Sequence, residues 1–238
     1  MNEIIQKRKS TRKFDPAKLD AETLEKVELK IKSLKSLYPD IRYSVEFAEK
    51  TKGLFNIQAP HYLLFNSEKK EGYCENIGFI GQQMDLFFAA SGLGSCWLGV
   101  SKPAGESSEQ RQLPGALPFV ICIAFGKPAG RLFREQSEFK RKALDTISEG
   151  KDERLEAAQL APSGMNAQNW YFVAENGNIH CYYKKPGLLF GFMTEKLIRI
   201  DLGIAICHIA EESSDFRFEK QKQAPVRKAF VYAGTVTG

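Results

Sequence analysis

Metal-ligand spacing, a disulfide framework and a membrane span are all missing from this chain of 238 residues. Its five cysteines are Cys74, Cys96, Cys122, Cys181 and Cys207; they are odd in number and form no C-x-x-C pair. That usage belongs to a reducing, cytoplasmic compartment, and Cys96, Cys122 and Cys207 lie in apolar runs where a free thiol packs as a small hydrophobe. The three histidines, His61, His180 and His208, are scattered, and His208 falls in an apolar helical run as a core histidine would. No Ser-His-Asp set and no paired carboxylates are recognisable, so no side chain stands out as an acid, base or nucleophile. The longest apolar run, "LPFVICIAFG", is far below the ~20 residues a membrane helix needs. The start, "MNEIIQKRKS", has no apolar core for a signal peptide. The expectation is a cytoplasmic protein without a membrane partner.

Charge of one sign is also scarce. The formal net charge is only +5, too mild for a nucleic-acid surface, which would show a denser basic stripe. Three basic clusters stand out: Lys7 to Lys9 with Arg12 and Lys13, Lys140 to Lys142, and Lys220 to Lys228. Each reads as a solvated face or as part of a pocket for a phosphorylated small molecule.

Hydrophobic residues make up 43% of the chain and charged ones 26%, enough apolar surface for a real core. The spacing of Leu24, Val27, Ile31 and Leu34 predicts a helix capped by Asp20. "IRYSVEFAE" and "APHYLLFN" read as strands. "CENIGFIGQQMDLFFAASGLG" reads as an apolar helix stopped by Gly92 or Gly94. "LPFVICIAFG" reads as a central strand. The order then partly recurs: a helix in "KDERLEAAQLAP", a hairpin in "NWYFVAENGNIHCYYKK" turning at Asn176-Gly177, an apolar helix in "EKLIRIDLGIAICHIAEES", and a last strand in "RKAFVYAGTV". The class is α+β.

The recurrence predicts an internal duplication, residues 1–130 followed by a shorter copy in 131–238. Asp85 falls opposite Asp201, and Arg8 opposite Arg141. Generic helix-strand alternation could mimic each match alone. The losses are complementary. The first half carries "RKSTR" where the second has "RKALD", and the second carries "APSGMNAQ" where the first has "SLYPDI". Such halves would make one complete site and one blank.

Arg8, Lys9, Ser10 and Arg12 offer directed cationic donors suited to a phosphate; an exposed basic N-terminus is the plain alternative. Pro162 ends its helix, and Ser163, Gly164 and Asn166 then offer hydroxyl, bare backbone and amide at a turn, followed by Gln168. An ordinary helix stop would not need them all. Gly92-Leu93-Gly94 is not a dinucleotide fingerprint, because Trp97 stands where its third glycine would fall and no strand precedes it. Locally it reads as a helix cap leading into a loop with a core tryptophan.

Together these motifs resemble the FMN-dependent nitroreductase family. Its Arg-Arg-Ser-Ile-Arg type opening is matched by Arg8-Lys9-Ser10-Thr11-Arg12. Its Ala-Pro-Ser-x-x-Asn-x-Gln-Pro-Trp motif is matched by residues 161–170, with Asn169 in place of the second proline. Its Gly-Leu-Gly-x-x-Trp-Leu-Gly motif is matched by residues 92–99. The family forms an intertwined dimer with FMN at the interface. In this chain the second motif lies far downstream of the first, so it resembles that dimer fused into a single-chain pseudo-dimer, with helices packed on antiparallel-type sheets.

The resemblance implies one FMN per chain, with NAD(P)H as reductant and a nitroaromatic or quinone-like small molecule as acceptor. Arg8, Lys9 and Ser10 would hold the phosphate and ribityl chain or reach the N1–C2 carbonyl side, with Arg141 a further phosphate candidate and Arg12 either in the site or tied to a carboxylate. Pro162, Ser163, Gly164, Asn166 and Gln168 would meet the pyrimidine edge and ribityl hydroxyls. Trp97 and Leu98 would pack near the ring, with the Gly99 N–H approaching N5. No catalytic side chain is implied, since the cofactor carries the hydride chemistry. Another flavin-dependent reductase activity, or flavin binding without turnover, is the alternative. Fusion removes the usual reason to dimerise, so a monomer is expected.

Overall fold

The computed structural model describes residues 2–53, 57–105, 115–187 and 191–238. The chain divides into two compact units, one of Lys7–Tyr73 and Ile80–Glu135, the other of Met1–Gln6, Cys74–Phe79 and Gln136–Gly238. We call them the first and second unit. In chain order the elements are α1 (Glu3–Lys7), α2 (Ala21–Lys32), β1 (Tyr43–Ala48), β2 (Thr51–Lys52), β3 (His61–Ser67), α3 (Tyr73–Ala90), β4 (Gly94–Leu98), β5 (Lys102–Pro103), β6 (Phe119–Gly126), α4 (Leu144–Ile147), β7 (Ser148–Glu149), α5 (Arg154–Leu160), β8 (Trp170–Glu175), β9 (Asn178–Lys184), α6 (Gly191–Ala210), β10 (Arg217–Glu219) and β11 (Phe230–Thr237). The architecture is α+β.

The first unit holds a four-stranded antiparallel sheet in the order β1-β3-β6-β4. β6 is central and buried along nearly its whole length, as its unbroken β-branched and aromatic run requires. Its residues alternate between two faces. On one, Phe125 stacks on Phe88 of α3 with ring centroids 4.5 Å apart. On the other, Cys122 and Ala124 join Tyr62, Leu64, Cys96 and Leu98 in an apolar cluster closed over by Phe14, Ile57 and Ala59. α2 starts where Asp20 accepts the Thr23 N–H at 2.7 Å. α3 ends at Ala90, and just beyond it Gly92, with φ of 76°, turns the chain so that the Leu93 N–H reaches the Phe88 carbonyl at 2.8 Å.

The second unit holds a five-stranded sheet in the order β10-β11-β9-β8-β7. The β8–β9 hairpin turns on Asn176 and Gly177, both with positive φ, which matches the twist of the two strands. α6 packs on β8, β9 and α5. It also meets residues 74–79 of α3 at backbone distance, since a Cβ on Gly203 would stand 2.0 Å from the Glu75 carbonyl oxygen. Only glycine allows that approach. Beside it Arg199 donates to both Glu75 oxygens at 2.8 and 3.0 Å. All five cysteines are buried and none forms a disulfide, and His208 is fully buried with Nδ1 2.9 Å from the Ala157 carbonyl. Among the described residues no group of His, Cys, Asp and Glu could hold a metal, and no helix is long and apolar enough to cross a membrane.

Candidate functional site

In the first unit, residues 8–14 run as a ribbon held by isolated bridges: Arg8 to Phe133, Ser10 to Ser95 and Phe14 to Pro128. The Thr11 N–H donates to the Ser95 carbonyl at 2.8 Å. The stretch after the α3 stop, read from sequence as a loop, is therefore a strand. β4 pairs with β6 on one side and takes the N-terminal ribbon on the other. Gly94 permits this, because a Cβ there would lie 2.5 Å from the Thr11 hydroxyl.

The ribbon carries Arg8 inward. It is only 1% exposed, and its Nε lies 2.9 Å from Asp85 Oδ2. Asp85 also accepts from Ser95 Oγ at 2.6 Å and from Gln82 Nε2 at 2.9 Å. Gln82 in turn accepts from Trp97 Nε1 at 3.2 Å. The carboxylate is satisfied threefold, which a buried charge requires. Arg8 Nη2 reaches Ser10 Oγ at 3.4 Å, while Arg8 Nη1 and the Thr11 hydroxyl are buried with no hydrogen-bond partner among the described residues. Arg8, rather than Arg12, is thus the arginine tied to a carboxylate; Arg12 is exposed, and neither it nor half-buried Lys9 has an ion-pair partner among the described residues. Burial pushes the Cys96 thiol up, with Arg12 opposing, so it is no thiolate nucleophile near neutrality.

Trp97 and Leu98 point to opposite faces of β4. Trp97 stacks on Phe65 at 6.0 Å and lies over Gly81, while Leu98 is in the apolar cluster. Both side chains are engaged in the interior, and Gly99 sits in the exposed turn that follows.

The second motif lies in the second unit. α5 ends at Leu160, and Pro162 begins the break. Asp201 of α6 accepts the Gly164 N–H with both oxygens, at 3.1 and 3.0 Å. Met165, Asn166 and Gln168 all take left-handed backbone angles, with φ of 51°, 58° and 43°. Such a run of non-glycine residues is strained and is typical of positions fixed by function. Ser163 Oγ accepts the Gln168 N–H at 2.9 Å and keeps its own proton to donate. Gln168 is buried, accepting from the Lys142 N–H at 2.7 Å and donating to the Gln159 carbonyl at 2.9 Å. Arg141 spends its guanidinium on the Leu160 carbonyl, at 3.0 Å from Nη2, and on Asn166 Oδ1, while Asn166 Nδ2 donates to the Lys140 carbonyl. The basic segment 140–142 therefore braces the turn.

Burial raises Asp201 to about 8, because no cation among the described residues faces it and the single N–H of Gly164 only partly opposes the loss of water. Asp85, Gln82, Ser95 and Asp201 were not expected as site residues. Acidic and amide groups inside otherwise apolar helical runs were the signal for three of them, since a buried polar group needs a partner.

The chain belongs to a nitroreductase family: the family described as "Putative TM nitroreductase" matches residues 1–213. That makes it an oxidoreductase by family. A solved Thermotoga maritima structure, described as a "putative nitroreductase", is similar at 23% identity and a TM-score of 0.63, covering 99% of this chain and 92% of that one. A nitroreductase family protein of Clostridium difficile 630 is 20% identical over 61% of this chain and 96% of its own, with a TM-score of 0.49. A protein of Clostridium difficile R20291 described as an FMN-dependent nitroreductase is 17% identical over 59% of this chain and 95% of its own, with a TM-score of 0.46. No curated protein matched the chain.

Proposed function

We propose that the protein is an FMN-dependent oxidoreductase that takes reducing equivalents from NAD(P)H and passes them to a small nitroaromatic or quinone-like acceptor. Family membership supports the flavin chemistry, and one observation carries the site: the buried Arg8 Nη1 has no partner among the described residues. A buried donor left unpaired costs roughly 1–3 kcal/mol, a cost that an anionic or carbonyl ligand removes. The phosphate and pyrimidine carbonyls of FMN are such acceptors. When bound, FMN supplies the hydride and electron transfer.

The residues present suit its binding. Asp85 fixes the Arg8 guanidinium through Nε, so that Nη1 is presented without rotamer freedom. The Thr11 hydroxyl is a second buried group without a partner. Lys9 and Arg12, free of ion pairs among the described residues, attract the phosphate. Pro162, Ser163 and Gly164 are proposed to act in flavin binding through the Ser163 proton and the backbone of the strained turn. Asn166, Gln168 and Arg141 shape that turn.

The test is FMN titration followed by absorbance, then addition of NADH or NADPH without oxygen. One flavin should bind per chain and bleach with a reductant. Lys9→Ala combined with Arg12→Ala should weaken binding about tenfold. Ser163→Ala with Asn166→Ala in the same titration tells whether the second motif serves that flavin. Absence of any saturable spectral change removes the reading, and bound flavin that neither nucleotide bleaches reduces it to binding without turnover.

A further inference from the structure

The basic cluster from Lys220 to Lys228 has no part in the site above, and it lies beyond residue 213, where the family match ends. In the second unit it crosses one face of the five-stranded sheet. Tyr171, Tyr182 and Tyr232 stand directly opposite one another on β8, β9 and β11, so their side chains share that face. Phe230, two residues before Tyr232, joins them; its ring lies 5.2 Å from that of Tyr171, and the Tyr182 and Tyr232 rings are 5.5 Å apart. Tyr183 points to the other face, where its hydroxyl meets Glu195 of α6 at 3.3 Å. The aromatic band is therefore on the face away from α6.

Two tyrosine hydroxyls tie the basic segment down over this band. The Tyr182 hydroxyl donates to the Pro225 carbonyl at 2.6 Å, and the Tyr232 hydroxyl accepts the Gln221 N–H at 3.0 Å. Burial holds Tyr182 up at about 12, so it remains a donor at any working pH. Between segment and sheet lies a cavity of about 460 Å³, lined by Tyr182, Phe230 and Tyr232 together with Lys185, Lys222, Arg227 and Lys228. Among the described residues no carboxylate lines it. Arg227 is neutralised by Glu149 and lies over the Tyr171 ring, 5.0 Å from its centroid. The three lysines have no ion-pair partner among the described residues.

We propose that this cleft binds a nucleotide, with its base against the half-buried rings of Phe230 and Tyr232 and its phosphates among Lys185, Lys222 and Lys228. The volume lies within the range of small-molecule sites, about 300–1,000 Å³. Aromatic faces accept any planar base, and three cations beside them select a ligand with more than one negative charge. The inference does not depend on the flavin reading, because none of these residues belongs to that site.

ADP is the probe, titrated by calorimetry into the protein both with and without FMN, beside pyrophosphate, adenosine and a single-stranded oligonucleotide. ADP should bind saturably and at least as tightly as any of the other three, and Lys222→Glu with Lys228→Glu should weaken it about tenfold through charge reversal. Lys185→Glu should act in the same direction, and all three lysines are exposed, so the variants should keep their melting temperature. The proposal is overturned if pyrophosphate binds better than ADP, if the oligonucleotide outcompetes it, or if the double variant binds ADP like the parent.

Discussion

Two aspartates sit inside apolar helices, Asp85 in α3 and Asp201 in α6, and they have opposite surroundings. Asp85 has a guanidinium, a hydroxyl and a side-chain amide within 2.9 Å. Asp201 has one backbone N–H and no cation among the described residues. If the two halves descend from one ancestor, as we propose, a single buried acid has been kept twice for different ends. At Asp85 it fixes the arginine of the N-terminal ribbon. At Asp201 it anchors the start of the strained turn that carries Ser163 and Asn166. The difference lies in the donors: Asp85 is met by a guanidinium, and Asp201 by a single backbone N–H.

Replacing each with asparagine should therefore have opposite effects. Asp85→Asn leaves Arg8 buried beside a neutral amide. Breaking one side of a buried ion pair costs about 3–5 kcal/mol, and urea unfolding should record a loss of that size. The variant should also bind FMN more weakly, because Arg8 is no longer held. A loss below about 1 kcal/mol would mean that Arg8 finds another partner or water, and the contrast would collapse.

Asp201→Asn should stabilise the protein instead, with a pH dependence that identifies the cause. The unfolded carboxyl titrates near 3.8, and burial in the folded state raises it to about 8. Below the lower value both states are protonated and no penalty exists. As pH rises towards 8 the unfolded state gives up its proton first, so the wild type loses stability across that window. Asparagine cannot ionise and still accepts the Gly164 N–H. The variant's advantage should be near zero at pH 4 and grow to on the order of 2 kcal/mol by pH 8. An advantage that did not vary with pH would point to packing rather than ionisation.

Much of this fold was legible in the sequence, because the signals were local. Asp20 capped the predicted helix, Asn176-Gly177 turned the predicted hairpin, and the β-branched run of β6 became the central strand. β4 was not legible. Its five residues, with glycine at one end, make no strand alone, and it exists because β6 and the ribbon at Ser10 supply its hydrogen-bond partners. The role of Arg8 was hidden for the same reason, since its partner lies 77 residues along the chain, at Asp85. The motif "APSGMNAQ" was legible as a special turn but not in its internal bonding. Asn166 and Gln168 meet residues 140–142, a pairing that no spacing rule predicts.

That turn offers the smallest test of the comparison. Met165 is fully exposed, so its side chain makes no packing contribution, yet its backbone holds φ of 51° and ψ of 21°. A left-handed conformation costs an ordinary residue roughly 1–2 kcal/mol, and glycine avoids it while losing about 0.5–1 kcal/mol more chain entropy on folding. Met165→Gly should therefore stabilise the second unit by about 0.5 kcal/mol, a rise of a degree or two in melting temperature. No matching gain is expected around Asp85, where no residue of the ribbon 8–14 has positive φ. A lower melting temperature for Met165→Gly would show that the methionine side chain, rather than the Asp201 anchor and the bonds of Gln168, holds the turn in place.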